Sequence, residues 1–442
     1  MISRPGARAE LRRSRQPGYR AVLHVPSLDR IRSWPSEPGL RAGTVSRTVF
    51  WGSAGLLAYA YAGFPLLAAA RALVRPRPIL ARDDLPTLTV VIPAYNEEEI
   101  IAEKLENTLA AEYPRDRLDV IVASDGSDDR TNERVRNFGD GVRLLDLPRA
   151  GKNAALNEAA AAARGEIIAF TDADVKLTED AFRRLVAPFA DPTVGGVAGE
   201  RRHGDLSRRR RLNAGKRTMR RLLSRSGSLT SAEGQLHALR QELFRPVPPG
   251  VLDDFWISTR VVAGHRRLVY EPEAGTYPFA GATVLTDPFG RKVRMTGLWF
   301  RAVWLGRDLL NPVEHGFYAV QLASHKLLRR LSFVPILGLG VSGPLLRRSG
   351  PFYRAAWLAQ TGLHGAALAG YLLRGTRLGR FKVLKAALTF DLNQAAAAVA
   401  VAEQLRGQNA RDDMWEPQRM EAPDPRSPAS AGMSARPDDP SS

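Results

Sequence analysis

Short, mostly apolar runs alternate with amphipathic stretches between residues 88 and 200 of the chain. The apolar runs predict strands, and apolar positions at helical spacing predict helices between them. Helices are expected over 97–111 and 153–164, and four strands over LTVVIPAYN, LDVIVASDGS, VRLLDLP and EIIAFTDADV. Strands that alternate with helices are typical of βαβ units. The pattern therefore predicts an α/β domain with a parallel, Rossmann-like sheet.

A long uncharged stretch precedes this domain. The 23 residues Thr48–Ala70 contain no charged side chain, and Arg47 and Arg71 bracket them. A helix of that length, at about 1.5 Å per residue, would cross a hydrocarbon core of roughly 30 Å. The stretch therefore predicts a transmembrane helix over residues 48–71. A buried helix of a globular protein is the alternative.

Three further apolar stretches follow near the C-terminus, over 331–346, 355–373 and 386–402. Each is shorter or more polar than the roughly 20 apolar residues of a typical span, so each would need neighbouring helices. Together they predict a bundle of about three transmembrane helices over 331–403. The positive-inside rule places the basic linker between the last two in the cytoplasm, and with it the domain before the bundle. We therefore expect a multi-pass protein of the cell (inner or plasma) membrane.

The charge of the chain is segregated into blocks that suit such a protein. The formal net charge is +18, and residues 1–47 form a basic leader that we expect to be disordered. Because a basic segment outside the membrane is disfavoured, we hypothesise that this leader is not native and that translation begins near Val45. The proline-rich tail over 405–442 is also expected to be disordered. The absence of cysteine excludes a disulfide scaffold, a thiolate metal site and a cysteine nucleophile.

A second basic block, residues 201–225, holds eleven Lys and Arg side chains and one acid, Asp205. Such a block predicts contact with anionic membrane lipids. Nucleic acid is the competing partner, but no recognition motif with interleaved aromatic residues accompanies the block, so we expect no nucleic-acid partner. A solvated charged face is the third alternative.

Carboxylates collect where the predicted strands end. Asp125 ends the second strand, and Asp172 and Asp174 end the fourth. Ligands of open parallel sheets bind outside the carboxyl ends of the strands, and alternation along an extended chain turns Asp172 and Asp174 to the same side. Such a pair can hold a hard divalent cation, Mg²⁺ or Mn²⁺, that bridges phosphate groups. Ordinary loop acids at a strand end are the alternative.

Five motifs in order carry a resemblance to a known family: VVIPAYNEEE, SDGSDD, GKNAALN, FTDADV and VLDDFWIS. Their order and spacing over roughly residues 88–310 resemble the family 2 glycosyltransferases. One helix before and several after resemble the membrane-integrated branch with cellulose, hyaluronan, chitin and poly-N-acetylglucosamine synthases. The resemblance implies a GT-A fold over residues 80–310, a nucleotide-sugar donor and inversion at the anomeric carbon.

The resemblance also implies roles for single residues around the donor. It assigns Tyr95, Glu97 and Asp125 to the nucleoside, with Asp125 on the uracil ring of a UDP-sugar. It places Asp172 near the donor and makes Asp174 the metal ligand on the diphosphate. The family usually has Asp-Asp-Gly where this chain has Ser-Asp-Gly, so the base-contacting acid is kept.

The acceptor side is implied by the paired acids of the fourth motif. The resemblance puts Asp254 at the position of the catalytic base, with Asp253 beside it. An inverting transfer needs one carboxylate to take the proton of the acceptor hydroxyl. Helix capping is the alternative for both acids, and a base at a helix N-terminus would keep a low pKa. Lys152, at the start of the predicted helix over 153–164, either contacts the diphosphate or is solvated.

The last family signature, Gln/Arg-x-x-Arg-Trp, is matched by Arg291 and Arg294, which the resemblance assigns to the diphosphate and acceptor side. Met295 stands where the family has the tryptophan that accompanies processive synthesis, and Trp299 or Trp304 are candidates to replace it. The surrounding basic, aromatic helix predicts a location in the membrane interface. Packing on the catalytic domain is the alternative.

Together these features predict a membrane-bound inverting transferase that moves a sugar from a nucleotide (UDP) sugar to a hydroxyl of a growing polysaccharide or glycolipid. A single-addition transferase with a lipid-linked acceptor is the alternative within that class. A non-catalytic basic membrane scaffold is the alternative from another class. About four spans are few for a polymer channel, so a homo-oligomer or an accessory subunit is a possible partner.

Overall fold

A computed structural model describes residues 38–202, 214–279 and 287–407, with side chains from residue 43 onward. The chain divides into two units, residues 1–45 and 46–442. Most of the predicted leader, part of the basic block (203–213) and the tail from 408 onward lie outside the described residues. The predictions for those segments therefore stay predictions.

The domain is built on one sheet of eight strands. Its spatial order is β3-β2-β1-β4-β7-β6-β8-β5. The strands are β1 Leu88–Ala94, β2 Leu118–Asp125, β3 Arg143–Leu147, β4 Ile167–Thr171, β5 Val175–Leu177, β6 Val194–Arg201, β7 Leu236–Arg240 and β8 Arg267–Pro278.

The helices lie between and after these strands. They are α1 Pro38–Ala58, α2 Phe64–Val74, α3 Ile101–Leu109, α4 Thr131–Arg136, α5 Lys152–Ala161, α6 Ala181–Val186, α7 Ala214–Ser226, α8 Asp253–Ala263, α9 Pro288–Leu305, α10 Pro312–His315, α11 Phe317–Gln321, α12 Leu328–Arg330, α13 Phe333–Leu346, α14 Pro351–Leu372 and α15 Lys382–Leu405. Two π-helical turns, Tyr59–Gly63 and Leu322–Leu327, join α1 to α2 and α11 to α12.

The first half of the sheet follows the sequence pattern. β1 pairs in parallel with both β2 and β4, and β2 pairs in parallel with β3. All seven residues of β1 are buried, as its continuous apolar run requires of a strand covered on both faces. On one side of the sheet, Ile101 and Leu105 of α3 enter the core, and on the other Ala155 and Ala159 of α5 do so. The predicted α/β, Rossmann-like arrangement is present here.

The second half of the sheet adds strands that the sequence pattern did not predict, and they make the sheet mixed. β4 and β6 both pair antiparallel with β7, and β5 pairs antiparallel with β8. The predicted fourth strand EIIAFTDADV is also wrong in its length. It stops at Thr171 and resumes as β5 at Val175, so Asp172–Asp174 form a loop that passes the chain to the far edge of the sheet. Aspartates are depleted in strands, which favours a break at this point.

The helical stretch before the domain is longer than predicted. It begins at Pro38, ten residues before the expected span, and continues through the π-helical turn to Val74. Among the described residues, Gly43–Val74 is one helix long and apolar enough to cross a membrane. Phe64, Ala68 and Ala72 are buried on one side, while Leu66 and Leu73 are largely exposed.

The C-terminal helices follow the three predicted stretches, but α13 has only 14 residues. They pack against the first helix and against each other: Trp51 stacks on Phe352 at 5.2 Å between ring centroids, and His364 lies 2.9 Å from the Asp391 carboxylate. α9, which carries the last signature, packs along α15, where Lys292 Nζ donates to Asn393 Oδ1 at 2.7 Å. This contact joins α9 to one of the predicted C-terminal spans, and the interfacial location of α9 stays a prediction.

Candidate active site

The carboxyl end of β2 presents a buried acid. Asp125 is 1 % exposed, and its carboxylate accepts hydrogen bonds from the backbone N–H groups of Ala150 (2.7 Å) and Gly151 (2.9 Å). It also forms an ion pair with Arg149. Gly126 makes the turn after the strand at φ +67°, and a Cβ there would lie 2.7 Å from the Arg149 backbone nitrogen. The sequence predicted Asp125 at this edge, but it did not predict that the acid is held by the 149–151 loop.

An aromatic platform lies beside Asp125. The guanidinium of Arg149 lies 3.4 Å from the ring centroid of Tyr95, in the geometry of a cation–π contact. Glu97 follows on the same turn, and its backbone N–H donates to Thr131 Oγ1 at 2.8 Å. The structure thus gathers the three residues assigned to the nucleoside around one edge of the sheet. Arg149, between them, was missed because no motif marks it.

The loop after β4 presents its two acids to one side. Ala173 is buried, whereas Asp172 is half-buried and Asp174 is exposed, although these residues form a turn and not the predicted extended strand. Desolvation in the cleft and the neighbouring Asp172 charge raise the pKa of Asp174. Two carboxylates that repel each other fit a hard divalent cation, which would offset that repulsion. The described residues offer no cluster of three or more His, Asp and Glu ligands, so the other ligands of such a cation would come from substrate or water.

A buried lysine stabilises this loop with two hydrogen bonds. Lys104 of α3 has no exposed surface, and its Nζ donates to Thr171 Oγ1 at 3.0 Å and to the Val175 carbonyl at 2.7 Å. Burial lowers the pKa of Lys104 to about 7, although Asp172 and Asp174 act in the opposite direction. Lys104 therefore fixes both ends of the Asp172–Asp174 loop. This role of Lys104 was not predicted from the sequence, because a lysine in an amphipathic helix normally faces solvent.

Lys152 joins the donor loop to the second acidic pair. Its Nζ donates to Asp172 Oδ1 at 2.9 Å and lies 3.0 Å from Asp253 Oδ2. Although burial disfavours its charged form, these two carboxylates raise the pKa of Lys152 above its usual value. The alternative of a solvated lysine is therefore wrong. Its predicted contact with a diphosphate stays a prediction.

Asp253 and Asp254 begin helix α8, and their pKa values are shifted in opposite directions. Burial, and then the charge of Asp253, raise the pKa of Asp254 to about 7. Burial acts on Asp253 in the same direction, but the Lys152 ammonium outweighs it and holds the pKa of Asp253 below its usual value. The expectation of a low pKa for Asp254 at a helix N-terminus is therefore wrong. Desolvation and the adjacent charge exceed the effect of the helix dipole, even though Asp254 Oδ1 accepts from the Phe255 N–H at 2.6 Å.

Gly234 marks the gap between the two acidic groups. A Cβ on this glycine would lie 3.5 Å from Asp254 Oδ2 and 3.8 Å from Asp172 Oδ2. Both carboxylates therefore face one small space, which a glycine leaves open. The structure thus unites the predicted acids from the fourth strand and from the VLDDFWIS motif.

His237, which the sequence could not assign, lies buried behind this gap. It is 2 % exposed and stacks on Phe170 at 5.3 Å between ring centroids. Neither of its ring nitrogens has a hydrogen-bond partner among the described residues. Burial lowers the pKa of His237 to about 4, so its ring is neutral at pH 7.

The last signature lies on α9, whereas the predicted acids lie at strand ends and at the start of α8. Arg291 is exposed on α9 and Arg294 is half-buried one turn later. Their assignment to the diphosphate and acceptor side stays a prediction. Trp299, on the same helix, is 1 % exposed and packs edge-on against Phe255 at 5.5 Å between centroids, whereas Trp304 is 69 % exposed.

Part of the predicted lipid-binding block is engaged inside the domain. In α7, Arg220 pairs with Glu200 at 3.1 Å, and Lys216 pairs with Glu233 at 2.7 Å. Arg217 also lies 3.6 Å from Glu200. Contact of the rest of the block with anionic lipids stays a prediction.

Comparison with known sequences finds a family whose model matches part of the chain. The model of the family described as Glycosyl transferase family 2 matches residues 89–247. A probable glycosyltransferase YdaM of Bacillus subtilis (strain 168) is 36% identical over 125 residues, which are 26% of this chain and 30% of that protein. The beta-monoglucosyldiacylglycerol synthase of Synechocystis sp. is 33% identical over 118 residues, 25% of each chain. The chain thus spans about a quarter to a third of the length of these curated relatives.

A solved structure resembles the fold over a longer range. The mannosyltransferase PcManGT from Pyrobaculum calidifontis, in complex with GDP-Man and Mn²⁺, matches with a TM-score of 0.62 and 24% identity. The match covers 83% of this chain and 99% of that chain. At this identity the likeness concerns the fold, and it confirms the predicted GT-A type of Rossmann-like α/β fold.

Proposed function

We propose that this chain, a glycosyltransferase with a family 2 domain over residues 89–247, is a membrane-bound, inverting enzyme. It moves a sugar from a nucleotide sugar to a hydroxyl of a polysaccharide or glycolipid acceptor. One observation carries the proposal. Asp172, which adjoins the proposed metal ligand Asp174, and Asp254 face the same gap at Gly234, so a donor diphosphate and an acceptor hydroxyl could meet there.

The nucleoside side of the site supports a UDP-sugar. Asp125 ends a buried strand, where ligands of α/β sheets bind, and Arg149 covers the face of Tyr95 beside it. A carboxylate can accept the N–H of a uracil ring, and an Arg–Tyr pair offers a flat surface to a base. Tyr95, Glu97 and Asp125 are therefore proposed to bind the uridine.

Asp172 and Asp174 would hold the divalent cation, Mg²⁺ or Mn²⁺, together with oxygens of the diphosphate. When bound, such a cation neutralises the charge that develops on the leaving diphosphate. PcManGT, whose fold this domain shares, was solved with Mn²⁺. Lys152 already neutralises Asp172 on its inner side, which leaves the exposed Asp174 as the principal ligand.

Asp254 is proposed to remove the proton from the acceptor hydroxyl. The hydroxyl oxygen attacks the anomeric carbon from the side opposite the diphosphate, the bond to the diphosphate oxygen breaks, and the proton stays on Asp254. This single displacement inverts the anomeric configuration. A base performs best when its pKa lies near the working pH, and the pKa of Asp254 near 7 meets that condition.

A single addition is the second candidate, and the tryptophans favour it over processive synthesis. Met295 replaces the family tryptophan, Trp299 is buried beneath Arg330, and Trp304 is largely exposed. The family tryptophan is therefore missing at its own position, and the ring of Trp299 is closed to a chain of sugars. The beta-monoglucosyldiacylglycerol synthase among the relatives is named for a product with one glucose.

Membrane attachment is supported by the helices outside the domain. Gly43–Val74 is long enough to span, and α13 and α14 carry large exposed apolar side chains, such as Leu337, Val341 and Leu372. A cytoplasmic domain, a multi-pass topology in the cell membrane and an oligomer or accessory subunit belong to the same proposal. A non-catalytic scaffold is disfavoured, because α7 uses three of its cations for internal ion pairs.

The proposal is tested with detergent-purified full-length protein and a panel of nucleotide sugars, with Mn²⁺ or Mg²⁺. Released nucleoside diphosphate identifies the donor, and the length of the product distinguishes single addition from processive synthesis. Asp174→Ala should abolish release, whereas Asp140→Asn, an exposed acid of the same domain, should not. Absence of release from every donor with lipids supplied, or equal activity of Asp174→Ala and wild type, would contradict the proposal.

A further inference from the structure

The core-facing side of helix α3 carries a lysine among apolar residues. Ile101 and Leu105 enter the core, and Lys104 between them has no exposed surface. The acceptors that its ammonium reaches among the described residues are both neutral, the Thr171 hydroxyl and the Val175 carbonyl. A leucine at this position would continue the apolar face without the cost of burying a charge. What the lysine binds therefore has to account for its presence.

The two oxygens that Lys104 binds lie on either side of the proposed metal-binding loop. Thr171 is the last residue of β4 and Val175 is the first of β5, so only residues 172–174 lie between them. The distance from Lys104 Nζ is 3.0 Å to the Thr171 hydroxyl and 2.7 Å to the Val175 carbonyl. One nitrogen thus fixes both ends of the short loop that carries the two proposed metal ligands. A loop fixed in this way loses less conformational freedom when it binds a cation.

The Thr171 hydroxyl connects Lys104 to the other side of the gap between the acids. It accepts a hydrogen bond from the ammonium and donates one to the Gln235 carbonyl at 2.9 Å. Gln235 directly follows Gly234, where a Cβ would lie 3.5 Å from Asp254 Oδ2. Lys104 is therefore joined by two successive hydrogen bonds to the segment that faces the proposed base.

We propose that Lys104 is a positioning residue of the metal site, which holds the loop 172–174 in the conformation in which Asp172 and Asp174 bind a divalent cation. The proposal rests on the proposed function, since it concerns the cation of the same site. Lys104 acts through the hydroxyl and the carbonyl that flank the ligands, as the outer-shell partners of metal ligands do.

The charge of Lys104 and its hydrogen bonds have opposite effects on a bound cation. An ammonium group near a metal site repels a divalent cation, so the loss of its charge alone would strengthen metal binding. The loss of its two hydrogen bonds would free the loop 172–174 and weaken metal binding, typically by about 10–100-fold for an outer-shell partner. A lysine that only stabilises the core would leave the metal affinity of the folded protein unchanged. The direction of the change therefore distinguishes the three roles.

The test measures Mn²⁺ binding to the full-length protein with saturating UDP, with free Mn²⁺ determined by electron paramagnetic resonance. Lys104→Met should bind Mn²⁺ about 10–100-fold more weakly than wild type. Its affinity for UDP without metal, measured by calorimetry, should not change, because the proposed nucleoside contacts lie at the end of β2. The matched control is Asn107→Ala, which removes two hydrogen bonds between α3 and Leu177 of β5, beyond the loop. It should lower the melting temperature but keep the Mn²⁺ affinity of wild type.

Thr171→Val keeps the test valid if Lys104→Met does not fold. Valine is close to threonine in shape and suits a buried strand, but it lacks the hydroxyl that Lys104 and Gln235 share. Thr171→Val should therefore also weaken Mn²⁺ binding. The losses should not add in the double variant, because both single changes remove the same contact.

Three outcomes would overturn the inference. They are a Mn²⁺ affinity of Lys104→Met equal to or higher than that of wild type, an equal loss of affinity in Asn107→Ala, and a wild-type protein that binds no Mn²⁺. Release of nucleoside diphosphate by the wild-type protein is measured separately and decides the proposed function. Mn²⁺ binding that depends on Lys104 without any release would refute the proposed function and leave the positioning role intact. Release by wild type with unchanged Mn²⁺ affinity in Lys104→Met would refute the positioning role alone.

Discussion

The ammonium group of Lys152 lies 3.0 Å from the carboxylate of Asp253, and this contact joins the N-terminus of α5 to that of α8. The same nitrogen donates to Asp172, so one cation connects the end of β4 with the proposed acceptor side. Its removal would leave two carboxylates half-buried near each other without a counterion. Such an unpaired group costs several kcal/mol in a protein interior.

Lys152→Met is therefore expected to lower the free energy of unfolding by about 3 kcal/mol and to abolish activity. The matched control is Lys176→Met, which removes an exposed lysine at 3.6 Å from Glu103 and should cost under about 0.5 kcal/mol. Thermal unfolding of the two variants measures the difference. Equal melting temperatures would show that the bridge carries no stability.

The raised pKa of Asp254 predicts a pH profile for the reaction. A base must be deprotonated to accept a proton, so the rate should fall about tenfold per pH unit below about pH 7 and level off above it. The measurement is initial rate of transfer from pH 5.5 to 9 at saturating donor. A rate that stays constant down to pH 5.5 would contradict a base with the raised pKa of Asp254.

The same shift predicts an effect on stability. The pKa of Asp254 in the folded protein lies above the unfolded value of about 4, so between about pH 4 and 7 the folded state holds a proton that the unfolded chain has released. Stability therefore falls as the pH rises through this window. Asp254→Asn removes the penalty, and its melting temperature should exceed that of wild type at pH 8 but not at pH 4. A lower melting temperature at pH 8 would contradict the raised pKa of Asp254.

Gly126 and Gly139 both have a positive φ, but only Gly126 lies at the proposed nucleotide site. Alanine substitutions at the two positions therefore distinguish the cost of backbone strain from the effect of a steric clash at that site. Gly126→Ala would place a Cβ 2.7 Å from the Arg149 backbone, whereas Gly139→Ala, at φ +54°, meets nothing within 4 Å. Both changes cost about 1–2 kcal/mol for the left-handed backbone. Only Gly126→Ala should also weaken UDP binding, by about tenfold or more, because it displaces the residues around Asp125. Equal UDP affinity in the two variants would show that the 149–151 loop takes no part in nucleotide binding.

Gly234→Ala tests whether the gap between the acids is used. The added methyl group would make ordinary contacts with Asp254 and Asp172, so the fold should tolerate it. It would, however, fill the space where donor and acceptor are proposed to meet. Activity should fall at least about tenfold with an unchanged melting temperature. Full activity would place the reaction elsewhere.

The sequence predicted the parts of the site that lie in strands and at their ends. Asp125, Asp172 and Asp174 were found because a carboxylate after a buried apolar run is conspicuous, and Asp254 because the resemblance marked it. Long-range pairing was not predictable in this way. The antiparallel insertion of β7 beside β4 brings His237 behind the acids, and α3 turns Lys104 inward. Neither follows from local spacing.

The directions of the pKa shifts of the acids could not be predicted from the sequence either. A helix N-terminus alone predicts a low pKa for Asp254, but burial and the charge of Asp253 reverse the direction. Similarly, the basic block predicted a positive surface, yet Arg220 is buried against Glu200. Such effects depend on which charges meet in three dimensions, and single-sequence patterns record only which residues are neighbours along the chain.

The role of Asp254 is the central claim, and one measurement tests it most directly. Transfer from the active nucleotide sugar, together with UDP affinity, is measured for wild type, Asp254→Asn and the exposed control Asp140→Asn. Loss of a general base typically costs 10²–10⁴-fold in rate, so Asp254→Asn should lose at least about a hundredfold while it binds UDP as well as wild type does. Asp140→Asn should match wild type in both. A rate for Asp254→Asn within about threefold of wild type would contradict the account.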